Sequence, residues 1–132
     1  MIRLDTNILV RYLAQDDPVQ SPKATELIEQ RLTDGSPGFL GVVAMVETAS
    51  VLDRDYGLAA DEIAPAIERT LQADVLVVDN EQEVFTAMIA PIDGHGSFAD
   101  TLIGGLGARA GCTRTLTCDQ KASRLAGFER VS

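Results

Sequence analysis

The stretch Val75-Leu-Val-Val78 constrains the fold most. Its four apolar residues run without alternation and stop at Asp79-Asn80. A short continuous run of this kind suits a strand buried on both faces, the environment of a parallel sheet. Helical patterns flank it. Ile63, Ala66, Ile67 and Leu71 recur at helical spacing between Ala60 and Gln72, with Pro65 placed to shorten or kink the start. A second helix runs from Glu81 to Ala90 and stops at Pro91. Parallel strands need crossovers of this size, so the rest of the chain should alternate in the same way.

It does. Ile2 and Leu4 begin an apolar run that ends on Asp5. Thr6 and Asn7 are good helix N-caps, and Ile8, Leu9, Tyr12 and Leu13 follow at helical spacing. Beyond Asp16-Asp17-Pro18, Ser21 reads as an N-cap with Pro22 at the first helical position. Ala24, Leu27, Ile28 and Leu32 give that helix one apolar face, and Gly35 closes it. Phe39 to Val42 is the second strand, leading into a helix from Val43 to Tyr56 that Gly57 ends. The Asp93–Gly96 loop precedes a helix from Phe98 to Ala110, with Gly111 after it. Thr115-Leu-Thr117 with Cys118 is the fourth strand, ended by Asp119. A helical piece from Lys121 to Leu125 and a strand from Glu129 to Val131 finish the chain. This order predicts one three-layer α/β/α domain over residues 1–132, with a mostly parallel central sheet. Right-handed crossovers put the acids ending the first and fourth strands on the same sheet edge, where ligands bind.

Composition narrows the function. The formal net charge of −9 argues against a nucleic-acid coat protein. It is compatible with an enzyme that meets a polyanion through cations, and it invites a basic partner. Arg109, Arg114, Lys121, Arg124 and Arg130 gather basic charge near the C-terminus. Of these, Arg114, Lys121 and Arg124 are candidate phosphate contacts. The six aromatics (Tyr12, Phe39, Tyr56, Phe85, Phe98 and Phe128) are scattered, several on apolar faces, and form no evident stacking platform for bases. No apolar stretch is long enough for a bilayer, and no secretory signal is seen. Cys112 and Cys118 suit neither a disulfide framework nor a zinc site, so they read as buried thiols in a reducing cytoplasm. His95, the sole histidine, lies in a loop and makes no metal site.

Four carboxylates stand out. Asp5 and Asp119 each end a short strand. Asp100 is the third helical residue if Ser97 is the N-cap, an arrangement that capping alone explains. Glu47 lies in Val42-Val-Ala-Met-Val-Glu-Thr-Ala-Ser-Val-Leu52, apolar almost all round, which predicts a largely buried helix. A buried carboxylate is costly unless paired or bound to metal. If the four converge, two carboxylates about 5 Å apart repel by roughly 3 kcal/mol at an effective dielectric near 20. With no His or Cys ligands nearby, a hard divalent cation with oxygen ligands, Mg²⁺ or Mn²⁺, is the natural counter-charge. Such a centre keeps several waters and can bridge to a phosphate, the chemistry of phosphodiester hydrolysis.

Leu4-Asp-Thr-Asn-Ile-Leu-Val10, Val46-Glu47, Phe98-Ala-Asp-Thr-Leu-Ile103 and Thr117-Cys-Asp-Gln-Lys121 together resemble the PIN domain, and more narrowly a VapC-type ribonuclease toxin. The resemblance covers essentially the whole chain. It implies that Asp5, Glu47, Asp100 and Asp119 form an acidic quartet. Asp5 and Asp100 would be the principal metal ligands and Asp119 would assist. Glu47 would orient a water or hold a second ion, with Thr6, Asn7 and Thr117 as polar surround. It also implies Mg²⁺-dependent endonucleolytic cleavage of RNA, a homodimer and a cognate antitoxin. Two departures stand out. Gly104, Gly105, Gly107 and Gly111 replace an alanine-rich helix, which means either close helix–sheet packing or a weaker helix. Cys118 stands where Phe is common, read as core filling.

Other readings compete. A housekeeping RNA-processing nuclease of the same fold would carry the same acids. A catalytically inactive PIN-like interaction module has no reason to keep all four. A phosphoacceptor signalling domain could use Asp79, but it wants an acid pair after the first strand, where Thr6 and Asn7 stand. A haloacid-type phosphatase wants a second Asp at the position of Asn7.

Overall fold

The computed structural model describes residues 1–131. Every paired strand is parallel, and helices alternate with strands, so the chain adopts the predicted α/β class, consistent with a PIN-like α/β/α arrangement. Its contacts divide it into two compact units, Met1–Glu81 and the residues from Gln82 onward.

In the first unit, β1 (Ile2–Arg3), β2 (Gly38–Leu40) and β3 (Leu76–Val78) form a sheet in the order β1-β2-β3. Four helices serve it: α1 (Thr6–Ala14), α2 (Gln20–Glu26), α3 (Val42–Arg54) and α4 (Ala60–Gln72). A π-helical turn, Leu27–Arg31, continues α2. Gly38 is required where it stands: a Cβ there would lie 2.8 Å from a Leu4 methyl and 2.9 Å from a Leu32 methyl. Leu9, Leu40, Met45, Leu52 and Ile67 are the largest side chains fully buried in this unit. Two buried threonines satisfy themselves within their helices. Thr48 donates to the Ala44 carbonyl at 2.7 Å and Thr70 to the Ala66 carbonyl at 2.9 Å.

Several expectations need correction here. β3 is not buried on both faces: Leu76 and Val78 are buried, but Val77 is 40% exposed. Strand alternation puts Arg3, Phe39 and Val77 in register on one face, where the Arg3 guanidinium lies 5.4 Å from the centre of the Phe39 ring. The start of α2 is set by Asp17 rather than Ser21. The Asp17 Oδ1 accepts from the N–H groups of Val19 (2.9 Å) and Gln20 (2.7 Å), and the Ser21 hydroxyl accepts from the Asp17 N–H. Gly35 closes no helix; it sits in a Thr33–Ser36 turn after the chain extends at Leu32. Pro65 neither shortens nor interrupts α4, whose first turn is held by the Glu62 carboxylate accepting from the Ala59 N–H at 3.0 Å.

The second unit contains α5 (Glu81–Ile89, starting at the boundary), α6 (Phe98–Arg109), β4 (Thr115–Thr117) and β5 (Phe128–Arg130). β4 and β5 pair in parallel in a two-stranded sheet of their own, with Thr115 opposite Phe128 and Thr117 opposite Arg130, so the acids ending the first and fourth strands belong to different sheets rather than to one edge as predicted. A single 3₁₀ turn, Ala122–Arg124, stands where a longer helical piece was predicted. Val84, Ala87, Met88, Phe98 and Leu102 are buried. The glycines of α6 permit close packing. A Cβ at Gly104 would lie 2.6 Å from the Phe128 ring, so β5 sits against the bare backbone. Gly105 faces the Glu83 side chain, whose carboxylate pairs with Arg109 at 2.7 Å and ties α5 to α6. Cys112 and Cys118 are both exposed, correcting the prediction of buried thiols and core filling, because each lies in a connection just past its helix or strand.

Candidate active site

In the first unit, β1 ends and Asp5, rather than Thr6 or Asn7 as predicted, takes the N-cap of α1 with extended backbone. One oxygen of its carboxylate accepts from the Thr6 N–H at 2.8 Å. Thr6 is itself buried as the first residue of α1, while Asn7 is exposed beside it. The Thr6 hydroxyl donates to Glu47 Oε2 at 3.4 Å, so α3 presents Glu47 to the Asp5–Thr6 segment. Glu47 is not buried, as its apolar neighbours suggested. It shares an exposed helical stripe with Val43, which is 70% exposed, while Met45, Thr48, Ala49 and Leu52 turn inward.

In the second unit, Ser97 caps α6 as predicted, its hydroxyl accepting from the Asp100 N–H at 3.0 Å. Asp100 is therefore in the first helical turn, half-buried, where the helix dipole favours an anion. Asp119 follows β4 in a tight turn. Its N–H donates to the Thr117 hydroxyl at 3.0 Å, and its Oδ1 accepts from the Lys121 N–H at 2.9 Å. Of the candidate phosphate contacts, Arg114 is paired with Glu129 at 3.0 Å. Lys121 and Arg124 are exposed, and neither has a carboxylate partner among the described residues. His95 is exposed in its loop.

The structure thus brings Asp5, Thr6 and Glu47 together in one unit, and ties Thr117, Asp119 and Lys121 into one turn in the other. Among the described residues no three His, Cys, Asp or Glu side chains gather as a group that could hold a metal ion. The donor chemistry of each unit fits a hard cation nonetheless. All the acids are oxygen ligands, and Asp5 and Asp119 each use one oxygen on a backbone N–H and keep the second free of protein partners among the described residues. Asp100 takes part in capping through its backbone N–H, and its carboxylate accepts no protein hydrogen bond among the described residues.

No helix among the described residues is long and apolar enough to cross a membrane. A search of curated proteins gives no match to the chain. The family model of the PIN domain matches residues 2–128, a span that takes in all four acids and the strands β1 to β4. An acid closing β1, a second on α3 beside it, a third opening α6 and a fourth after β4 thus fall in a match over nearly the full length, and the chain belongs to the PIN domain family, whose fold is generally that of a nuclease.

Proposed function

We propose that the protein is a Mg²⁺-dependent endoribonuclease, the toxin of a toxin–antitoxin pair. It acts in the cytoplasm as a homodimer that a cognate antitoxin holds inactive. Residues 1–132 work as one nuclease domain, with Asp5, Glu47, Asp100 and Asp119 as its catalytic acids. The observation that carries the reading is the Thr6–Glu47 hydrogen bond, which ties an exposed acid on α3 to the residue that follows the acid ending β1. Membership of a nuclease fold family supports the reaction class. The motifs around the acids support the narrower toxin assignment.

Asp5, Asp100 and Asp119 would hold the cation, and Mn²⁺ would substitute for Mg²⁺. When bound, the cation supplies positive charge that offsets the carboxylates and polarises the scissile phosphodiester. The chain's own residues do the positioning. The backbone N–H groups of Thr6 and Lys121 fix one oxygen of Asp5 and of Asp119. The Thr6 hydroxyl holds Glu47, which would orient the attacking water or hold a second ion. Asn7 and Thr117 complete the polar surround, the latter by pinning the Asp119 turn.

The test is cleavage of RNA by purified, antitoxin-free protein with Mg²⁺, with chelator, and with Asp5→Asn and Asp100→Asn in parallel. Cleavage should need the cation and fall to background in either variant. The double variant should be no worse than the single ones, as for groups that act as a unit. Wild-type cleavage by Asp5→Asn or Asp100→Asn would refute the site. Absence of both RNA cleavage and Mg²⁺ or Mn²⁺ binding by calorimetry would refute the function.

A further inference from the structure

The second unit carries a groove of about 930 Å³. Small-ligand sites span about 300–1,000 Å³, so it is large enough for a nucleotide. Phe85 and Ile89 of α5 form one wall, and Phe128 at the start of β5 contributes another. The Phe85 ring is 45% exposed. Phe128 is held where it is by the absence of a side chain at Gly104. These aromatics lie far apart in sequence, which is why no stacking platform was legible there.

Lys121 and Arg124 line the same groove, and Asp93 is the one acid that does so among the described residues. In a chain of net charge −9, two cations without carboxylate partners among the described residues mark a place for an anion. Thr101 adds a hydroxyl oxygen that is buried and has no hydrogen-bond partner among the described residues. The groove also adjoins two of the acids through the chain. Asp100 directly precedes Thr101, and the Asp119 carboxylate accepts the backbone N–H of Lys121.

We propose that this groove seats single-stranded RNA, with a base against Phe85 and Phe128 and flanking phosphates on Lys121 and Arg124. The inference rests on the reading of RNA as substrate. A phosphodiester chain carries both π-faces and negative charges, and the groove lining carries both aromatic rings and cations. Each base–aromatic stack contributes binding that tolerates sequence, because every base has a π-face. The neighbouring acids favour a substrate strand over a protein partner as the occupant.

The test uses the full chain carrying Asp100→Asn, which blocks cleavage, and a labelled short single-stranded RNA followed by fluorescence anisotropy. Phe85→Ala should weaken binding by about 5-fold to 160-fold, the range for loss of one base stack. Lys121→Ala with Arg124→Ala should lower the slope of log affinity against log salt by about 1.4, from two phosphate contacts to a single strand. Lys23→Ala, outside the groove, should change neither. The chain has no tryptophan, so Phe85→Trp introduces a single reporter whose emission RNA should quench. Thermal melts followed by circular dichroism identify any variant that fails to fold, and the Trp reporter then decides. If the parent chain binds no RNA, the RNA reading fails and this inference with it. If the parent binds RNA but affinity, salt slope and Trp emission ignore the groove, only the groove assignment fails, as it would if the groove served a protein partner.

Discussion

Gly104 offers a quantitative test of how α6 and β5 fit together. In Gly104→Ala the new methyl would stand 2.6 Å from the Phe128 ring, inside any normal carbon–carbon contact. The ring or the helix must move, and overpacking of this kind costs about 1–3 kcal/mol. Against that, Ala improves on Gly in a helix interior by about 1 kcal/mol. Gly105→Ala separates the two terms. Its methyl would meet the Glu83 side chain at 3.5 Å, an ordinary contact, so the propensity gain stands alone. The difference between the two variants cancels propensity and leaves packing. Gly104→Ala should therefore be less stable than Gly105→Ala by about 1–3 kcal/mol, measured by urea unfolding with linear extrapolation. Equal stabilities would show that Phe128 does not depend on a bare backbone at Gly104, and would refute the packing account of the glycine-rich helix.

Acid should weaken the fold through three carboxylates. The Tyr56 hydroxyl and then Arg11 hold Asp16 below the usual carboxylate range, the N–H groups of Gln20 and Val19 do the same for Asp17, and Arg109 does so for Glu83. Unfolded chains take up these protons first, so the stabilisation is complete above about pH 5 and is lost as pH falls through the depressed values. Asp16→Asn with Asp17→Asn should flatten the acid limb of a stability-versus-pH curve; an unchanged limb would refute the assignment. Tyr56 titrates above its ordinary value because it donates to Asp16, so that bond stabilises at neutral pH and is lost as pH rises beyond the tyrosine range. Tyr56→Phe should remove the alkaline loss that this bond contributes. Ser97→Ala removes the cap of α6 and should cost about 1 kcal/mol. An unchanged denaturation midpoint would show that the cap is not needed.

What the sequence disclosed follows from how local each signal is. The bounds of α4 and the cap at Ser97 were legible because helical spacing and capping act within a few residues. The parallel strands were legible from short apolar runs between helices. Features that depend on what lies opposite were not. Glu47 looked buried because its neighbours are apolar, yet Val43 on the same stripe is exposed too. Asp17 rather than Ser21 starts α2, since two good capping residues compete and only the folded turn decides between them. The meeting of Phe128 with Gly104, and of Phe85 with Lys121 and Arg124 around one groove, joins positions that no local pattern connects.

Asp5 caps α1 and Asp119 pins the turn after β4. In the proposed reading each of them also serves the chemistry, and the two roles are compatible. A carboxylate has two oxygens; the backbone N–H of Thr6 or Lys121 occupies one and thereby aims the other. The capping bond supplies the orientation that a ligand needs, without using the oxygen that would serve as one. Asparagine keeps a side-chain oxygen for that bond while losing the charge, whereas alanine loses both. For this reason Asn is the substitution that isolates charge from fold at Asp5 and Asp119.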